Sequence, residues 1–213
     1  MTIKFYTNPM SRGQIARWAL HEAGAAYDEI IVDFGRPMKT PPYRDLNPMG
    51  KVPTIVHDGN IVTECAAICL YLADAFPDAG LQPDNLTEKA DYYRWTFFAT
   101  GPVEQAIVNH SMGWEARGPR AQGRLGYGNY ELTMGVLSDL MRDRAYVCGD
   151  RFTAADIYVG AQVDWGLKFK TVPVKPALEA YAERLRSRPA YLEAKEIDGA
   201  HIQKMQEAEA GES

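Results

Sequence analysis

The residues that could do chemistry in this 213-residue chain are concentrated in Asn47-Pro48-Met49-Gly50-Lys51-Val52-Pro53-Thr54-Ile55 and, after a short turn, Val62-Thr63-Glu64-Cys65. The first run reads as a loop that ends in a proline at the mouth of a strand, and the second as a strand that runs into a helix. A proline has no amide to donate and takes the cis peptide at modest cost. A cis bond between Val52 and Pro53 would turn the Val52 amide and carbonyl outward, where a peptide-like ligand could pair with them as an edge strand does. The three cysteines, Cys65, Cys69 and Cys148, cannot form a fully paired disulfide framework, and no pair has CxxC spacing. Cys65 and Cys69 lie one helical turn apart, as two small apolar residues of a helix face would. No metal is expected.

The elements around these residues follow from pattern. Ile3-Lys4-Phe5-Tyr6 is β-prone and stops at Thr7-Asn8-Pro9. Ser11-x-x-Gln14 has the form of a capping box, opening a helix that ends near Gly24. Residues 27–32 read as a second strand, residues 35–42 as a polar, proline-rich passage, and residues 43–46 as a short helical piece. Strands at Thr54-Ile55-Val56 and Ile61-Val62-Thr63 flank the turn Asp58-Gly59-Asn60, and a helical period then runs to Phe76-Pro77. A strand–helix–strand unit implies a parallel pair, and the short turn implies an antiparallel hairpin. The expected plan is α+β: an N-terminal thioredoxin-like domain with a mixed four-stranded sheet at residues 1–77, then a turn-rich linker at 78–86.

Beyond the linker no period of two persists. A helix with Tyr92, Trp95 and Phe98 on one spacing should kink at Gly101-Pro102, and the glycine-rich residues 113–128 should be partly loop. Residues 130–144 read as an amphipathic helix with Leu132, Val136, Leu137, Leu140 and Met141 on one side. Phe152-Thr153-Ala154-Ala155-Asp156-Ile157 predicts an N-cap, a capping box closed by Asp156, and a hydrophobic staple between Phe152 and Ile157. Further helices are expected at residues 175–187 and 189–195. The second domain is therefore all-α over residues 87–204, with a polar, fraying tail at 205–213.

With 46% hydrophobic and 24% charged residues the composition is that of an ordinary globular protein, and a net charge of −5 argues against a nucleic-acid or anionic-membrane partner. No apolar run approaches the roughly 20 residues that cross a bilayer, and the N-terminus has no signal-like apolar stretch. A cytoplasmic location is expected.

The chain resembles the cytosolic glutathione transferases over nearly its whole length. Four pieces carry the resemblance: Ser11-Arg12-Gly13, Asn47-Pro48-x-Gly50-Lys51-Val52-Pro53, Thr63-Glu64-Cys65, and Phe152-Thr153-x-Ala155-Asp156. It implies a homodimeric, bacterial-type transferase that joins glutathione, a co-substrate, to small hydrophobic electrophiles. Val52 and the cis-proline Pro53 would then hold the cysteinyl part of glutathione, and Glu64 and the Cys65 amide its γ-glutamyl group. Lys51 and Lys39 are candidates for the glycyl carboxylate. Serine is usual where this chain has Cys65, which removes a hydroxyl donor and leaves the amide.

In that reading Ser11 stands where serine-type members place the hydroxyl that stabilises the thiolate, in competition with a plain capping role. Tyr6 is the rival activator, more simply a tyrosine packed in the sheet. Asn8 could assist from the same loop, while Arg12 is assigned to carboxylates rather than substrate. Met10, Met112, Trp114, Trp165 and Phe169 are the candidates for an apolar electrophile pocket. Asp156 is assigned to capping rather than catalysis. Two other functions use the same site: a glutathione-dependent thiol reductase or isomerase, disfavoured because Ser11 replaces the expected cysteine, and a binding protein without turnover.

Overall fold

The computed structural model describes residues 2–211. Two compact units form, one running up to Leu81 and joined by the residues from Ser187 onward, the other spanning Gln82–Arg186.

In the first unit β1 (Ile3–Thr7), α1 (Gly13–Glu22), β2 (Tyr27–Ile31), α2 (Arg36–Lys39), α3 (Tyr43–Leu46), β3 (Thr54–His57), β4 (Asn60–Thr63) and α4 (Cys65–Ala75) follow in order. The strands lie as β2-β1-β3-β4, with β1 parallel to β2 and the other pairs antiparallel. The hairpin closes through Asp58 and Gly59, both at positive φ (51° and 83°), the conformation a two-residue connection needs to match strand twist. This is the mixed four-stranded sheet expected from the sequence.

The two faces of β1 separate the candidate residues. Ile3, Phe5 and Thr7 are fully buried, and Gly13 at the start of α1 lies so close to Thr7 that a Cβ there would overlap the threonine Oγ1. Tyr6 points the other way, onto the cluster of Val32, Met38 and Tyr43 that Val52 also packs against, with its ring centroid 5.7 Å from that of Tyr43. Because Thr7 has no exposed surface to yield into, Gly13→Ala should cost about 2 kcal/mol, as overpacking does. Denaturant unfolding of Gly13→Ala and of the double variant with Thr7→Ala checks this: the second change should restore part of the loss.

The second unit contains α5 (Leu86–Phe98), α6 (Glu104–Ser111), α7 (Pro119–Gln122), α8 (Tyr130–Leu140), α9 (Ala154–Lys168) and α10 (Pro176–Arg186). Pro102 sits in a π-helical turn, Ala99–Val103, that joins α5 to α6. A wider turn absorbs a residue that has no amide to give the ladder. On α8 the expected stripe is displaced: Leu132 is exposed, while Thr133 and Met134 are buried with Leu137, Leu140 and Met141. Thr133 can go inside because its hydroxyl has the carbonyls of Tyr127 (2.8 Å) and Asn129 (3.0 Å) within reach and donates its proton between them.

At the head of α9 the capping box between Thr153 and Asp156 is present, and Phe152 and Ile157 are both buried beside it. Asp156 does more than cap. Its carboxylate accepts from the Thr153 amide (2.9 Å), the Val147 amide (2.7 Å) and the Tyr181 hydroxyl (2.9 Å), so it ties the preceding loop and α10 to α9.

The last helix, α11 (Pro189–Gly211), runs far beyond the expected end at residue 195, and the fraying tail is helical as far as it is described. Residues 212 and 213 of that tail lie outside the described residues. The helix belongs with the strands because of what Asp198 meets. Arg17 of α1, 1% exposed, donates from Nε to Asp198 Oδ1 (2.9 Å) and from Nη1 to the Tyr27 hydroxyl (3.0 Å), and pairs with Glu29. A buried guanidinium without such partners would cost several kcal/mol, so α11 is fixed where its aspartate is. Burial pushes the Asp198 carboxyl upward, and the opposing pull of Arg17 only partly offsets this.

Candidate active site

The loop between β1 and α1 is built on Asn8. This residue is fully buried; its Nδ2 donates to the Val32 carbonyl (3.1 Å) and its Oδ1 accepts from the Met10 amide (3.0 Å). Both ends of the amide are used in shaping the loop, which makes Asn8 a positioning residue. Ser11, half-buried, donates from Oγ to the Asn8 carbonyl (2.7 Å) and accepts from the Gly13 amide (2.9 Å).

The expected capping box between Ser11 and Gln14 does not form. Gln14 instead donates to the Pro9 carbonyl (2.6 Å) and accepts from Lys195 Nζ (2.7 Å), and α1 starts at Gly13 behind Arg12, whose side chain gives no cap bond. The positive end of the helix is thus left beside a serine hydroxyl. Tyr6, on the opposite face of β1, is part of the packing under α2 and α3.

The Val52-Pro53 bond is cis, as is Pro41-Pro42. Among the described residues no backbone hydrogen bond within the chain uses the Val52 amide or carbonyl. Its neighbours are tied down instead. Lys51 presents its carbonyl to Asn47 Nδ2 (2.8 Å) and to the Tyr43 hydroxyl, which also meets Thr54 Oγ1 (2.9 Å). Burial pushes the Tyr43 phenol up, so it stays a donor. Lys39 donates to the carbonyls of Met49 (3.2 Å) and Gly50 (2.6 Å) and so staples this loop. Lys51 itself is exposed.

Glu64 is strained. At φ 65° and ψ 119° it occupies backbone space that a residue with a Cβ seldom enters, directly before α4, which has no side-chain cap. Glu64 is exposed at the position that precedes the first amides of α4. Cys65 points inward: its Sγ donates to the Arg12 carbonyl (3.4 Å), joining the start of α4 to the start of α1. The cysteine thus packs the two helix ends together. Cys69 is wholly buried and its thiol is pushed well up by that burial, an inert position. Glu64→Gly should raise stability by about 1 kcal/mol by releasing the strain, and Glu64→Gln should not; urea unfolding distinguishes them.

Of the expected electrophile residues, Met10 is on the Asn8 loop and 48% exposed. In the other unit Met112 and Trp114 are exposed at the end of α6, and Trp165 and Phe169 form an edge-on ring pair, 6.4 Å apart, at the end of α9. Within the first unit a cavity of about 260 Å³ is lined by Pro9, Ile31, His201, Lys204, Met205 and Ala208. None of its lining residues was expected from the sequence, although residues 201, 204, 205 and 208 have the spacing of one helix face. Among the described residues no group of three or more His, Cys, Asp or Glu could hold a metal ion, and no helix is long and apolar enough to cross a membrane.

Residues 10–75 match the glutathione S-transferase N-terminal domain family, and residues 130–189 the C-terminal domain family. The chain belongs to the glutathione transferase family. It is 25% identical over 204 residues to glutathione S-transferase GstA of Escherichia coli O157:H7, covering 92% of this chain and 99% of that one. To protein LigF of Sphingobium sp. it is 36% identical over 103 residues, 45% of this chain and 39% of that protein's length. A sphingomonad glutathione S-transferase solved in complex with glutathione superposes with a TM-score of 0.72 at 26% identity, covering 92% of this chain and 98% of its own. In this transferase the matched N-terminal segment contains Ser11, the cis-proline loop and the Glu64-Cys65 junction.

Proposed function

We propose that this glutathione transferase holds glutathione against the Val52-Pro53 loop and the start of α4, and uses the Ser11 hydroxyl to keep its thiol ionised. The observation that carries the reading is the Ser11 hydroxyl at the start of α1, where it accepts from the first helical amide and Arg12 gives no cap bond, joined through Arg12 and Cys65 to the strained start of α4. The Val52 amide and carbonyl pair with the cysteinyl unit. The Glu64 carboxylate takes the γ-glutamyl ammonium, the first amides of α4 take its carboxylate, and Lys51 takes the glycyl carboxylate.

Ser11 must change partner for this to work. Its proton goes to the Asn8 carbonyl when the site holds no thiol, while its oxygen accepts from Gly13. Rotation about the Cβ–Oγ bond redirects the proton to the sulfur and exchanges a neutral hydrogen bond for a charge-assisted one, about twice as strong. The α1 macrodipole adds to this. The thiol proton leaves to solvent, the thiolate attacks the electrophilic carbon, a C–S bond forms, and the leaving group departs with its bonding pair. A small hydrophobic electrophile, homodimeric assembly and a cytoplasmic location belong to the same reading.

Calorimetric titration with glutathione tests the binding half. The parent protein should bind and Glu64→Gln should bind about tenfold more weakly, the loss of one charge-assisted pair. A parent protein with no heat of binding and no thermal shift in glutathione would overturn the proposal.

A further inference from the structure

Helix α11 first lies on α1, with Ala194 and Asp198 each 1% exposed, and then continues past the start of α1 to Gly211. Its last turns roof the cavity whose other walls are Ile31, from the end of β2, and Pro9, two residues before Ser11. About 260 Å³ accommodates a single substituted ring. The walls are apolar except for two basic side chains, and these differ in what they already do. His201 Nε2 is paired with Glu29 Oε1 at 2.7 Å, so it is committed to the buried network around Arg17. Lys204 is exposed, and no carboxylate among the described residues pairs with it.

From this placement we infer that the cavity is the electrophile subsite and that Lys204 selects electrophiles carrying an anionic substituent: a single activated ring bearing a carboxylate. The inference rests on the glutathione reading above and names its second substrate. A compact ammonium at the rim of an apolar cavity pairs with a carboxylate at modest desolvation cost while the ring fills the apolar part. Negative charge spreads into the ring as the thiolate adds, so an ammonium paired with the ring's carboxylate is retained in the transition state. The ring residues of the helical unit are not needed for this selection.

Two aryl chlorides with the same reaction separate the possibilities: neutral 1-chloro-2,4-dinitrobenzene and anionic 4-chloro-3,5-dinitrobenzoate. In each the sulfur displaces chloride, which leaves with the C–Cl pair. The readout is the ratio of kcat/KM for the benzoate to that for the neutral chloride, in the parent, Lys204→Met and Lys204→Glu, with melting temperatures as a folding check. The parent should favour the benzoate. Lys204→Met should lower the ratio about tenfold, as expected for loss of a charge-assisted contact, Lys204→Glu should lower it further, and raised salt should lower it in the parent only. A ratio that does not move with Lys204, or a parent without preference for the benzoate, overturns this inference and leaves the glutathione reading standing. A parent that conjugates neither chloride and binds no glutathione overturns both.

Discussion

Ser11→Ala should lower the rate of aryl-halide conjugation about 100-fold, the usual effect of removing one preorganised donor from a developing or resting anion. The fall should appear in kcat, with glutathione affinity changed far less, because the proposal gives the holding to the Val52 loop and the α4 start. Removing the hydroxyl also leaves the Gly13 amide without its 2.9 Å partner, so a stability loss of about 1 kcal/mol accompanies it. Steady-state kinetics measured well below the melting temperature keep the two effects apart. Tyr6→Phe is the matching control. The phenol of Tyr6 lies on the opposite face of β1 from α1 and packs against Tyr43, so its loss should leave kcat within about twofold. If Tyr6→Phe produced the large loss and Ser11→Ala did not, the assignment of the activating hydroxyl would be reversed.

Asp156→Asn should be the most damaging single change outside the site. Asparagine can accept on one atom only, so donors now satisfied by Oδ2, the Thr153 amide at 2.9 Å and its hydroxyl at 3.1 Å, would face an NH2 group or lose their partner. Each stranded buried donor costs about 1–3 kcal/mol, and a total near 3 kcal/mol corresponds to a melting temperature lowered by about 6–12 °C in a chain of this size. The pH dependence is specific. Burial lifts the Asp156 carboxyl from 3.8 to about 6 in the folded protein, against the pull of its hydrogen bonds. Between those values the folded state holds more protons than the unfolded state, so this group's contribution is fully present below about pH 4 and is lost as pH rises through about 6. The deficit of Asp156→Asn relative to the parent should therefore be largest near pH 4 and shrink towards pH 7. Denaturant unfolding across that range measures it, and a deficit that grew with pH would contradict the account of Asp156.

Local signals with a stereochemical reason behind them were readable in the sequence. Asp58-Gly59 specified the hairpin, Thr153-x-x-Asp156 with Phe152 specified the start of α9, and Gly101-Pro102 marked the interruption that the structure makes as a π turn. The same kind of signal misled at Ser11-x-x-Gln14. Gln14 found better partners in Pro9 and Lys195, the second of which is 181 residues away in sequence. Lys39 was a reasonable ligand for a carboxylate by charge alone, but two carbonyls of its neighbouring loop hold it.

Long-range partners also explain why the last helix passes its expected end at residue 195. Asp198 is the counter-ion of an arginine buried in α1, and His201 extends the network to Glu29. Nothing in the sequence around Asp198 reveals that Arg17 is buried. A polar residue on the inner face of a helix is legible only when its partner is known, and the cavity roofed by Lys204 and Met205 has no local sequence signal. The strain at Glu64 was equally hidden, because a positive φ at a residue with a Cβ is imposed by the surrounding fold rather than by local preference.

The central claim is that Ser11 and the start of α1 hold the glutathione sulfur as a thiolate. Its most direct test is the ultraviolet thiolate band of the protein–glutathione complex, followed against pH in the parent and in Ser11→Ala. The parent complex should titrate about 1–2 pH units below free glutathione, and Ser11→Ala should return most of that shift. A parent complex whose thiol titrates like free glutathione, or an alanine variant with the full thiolate band, would contradict the account.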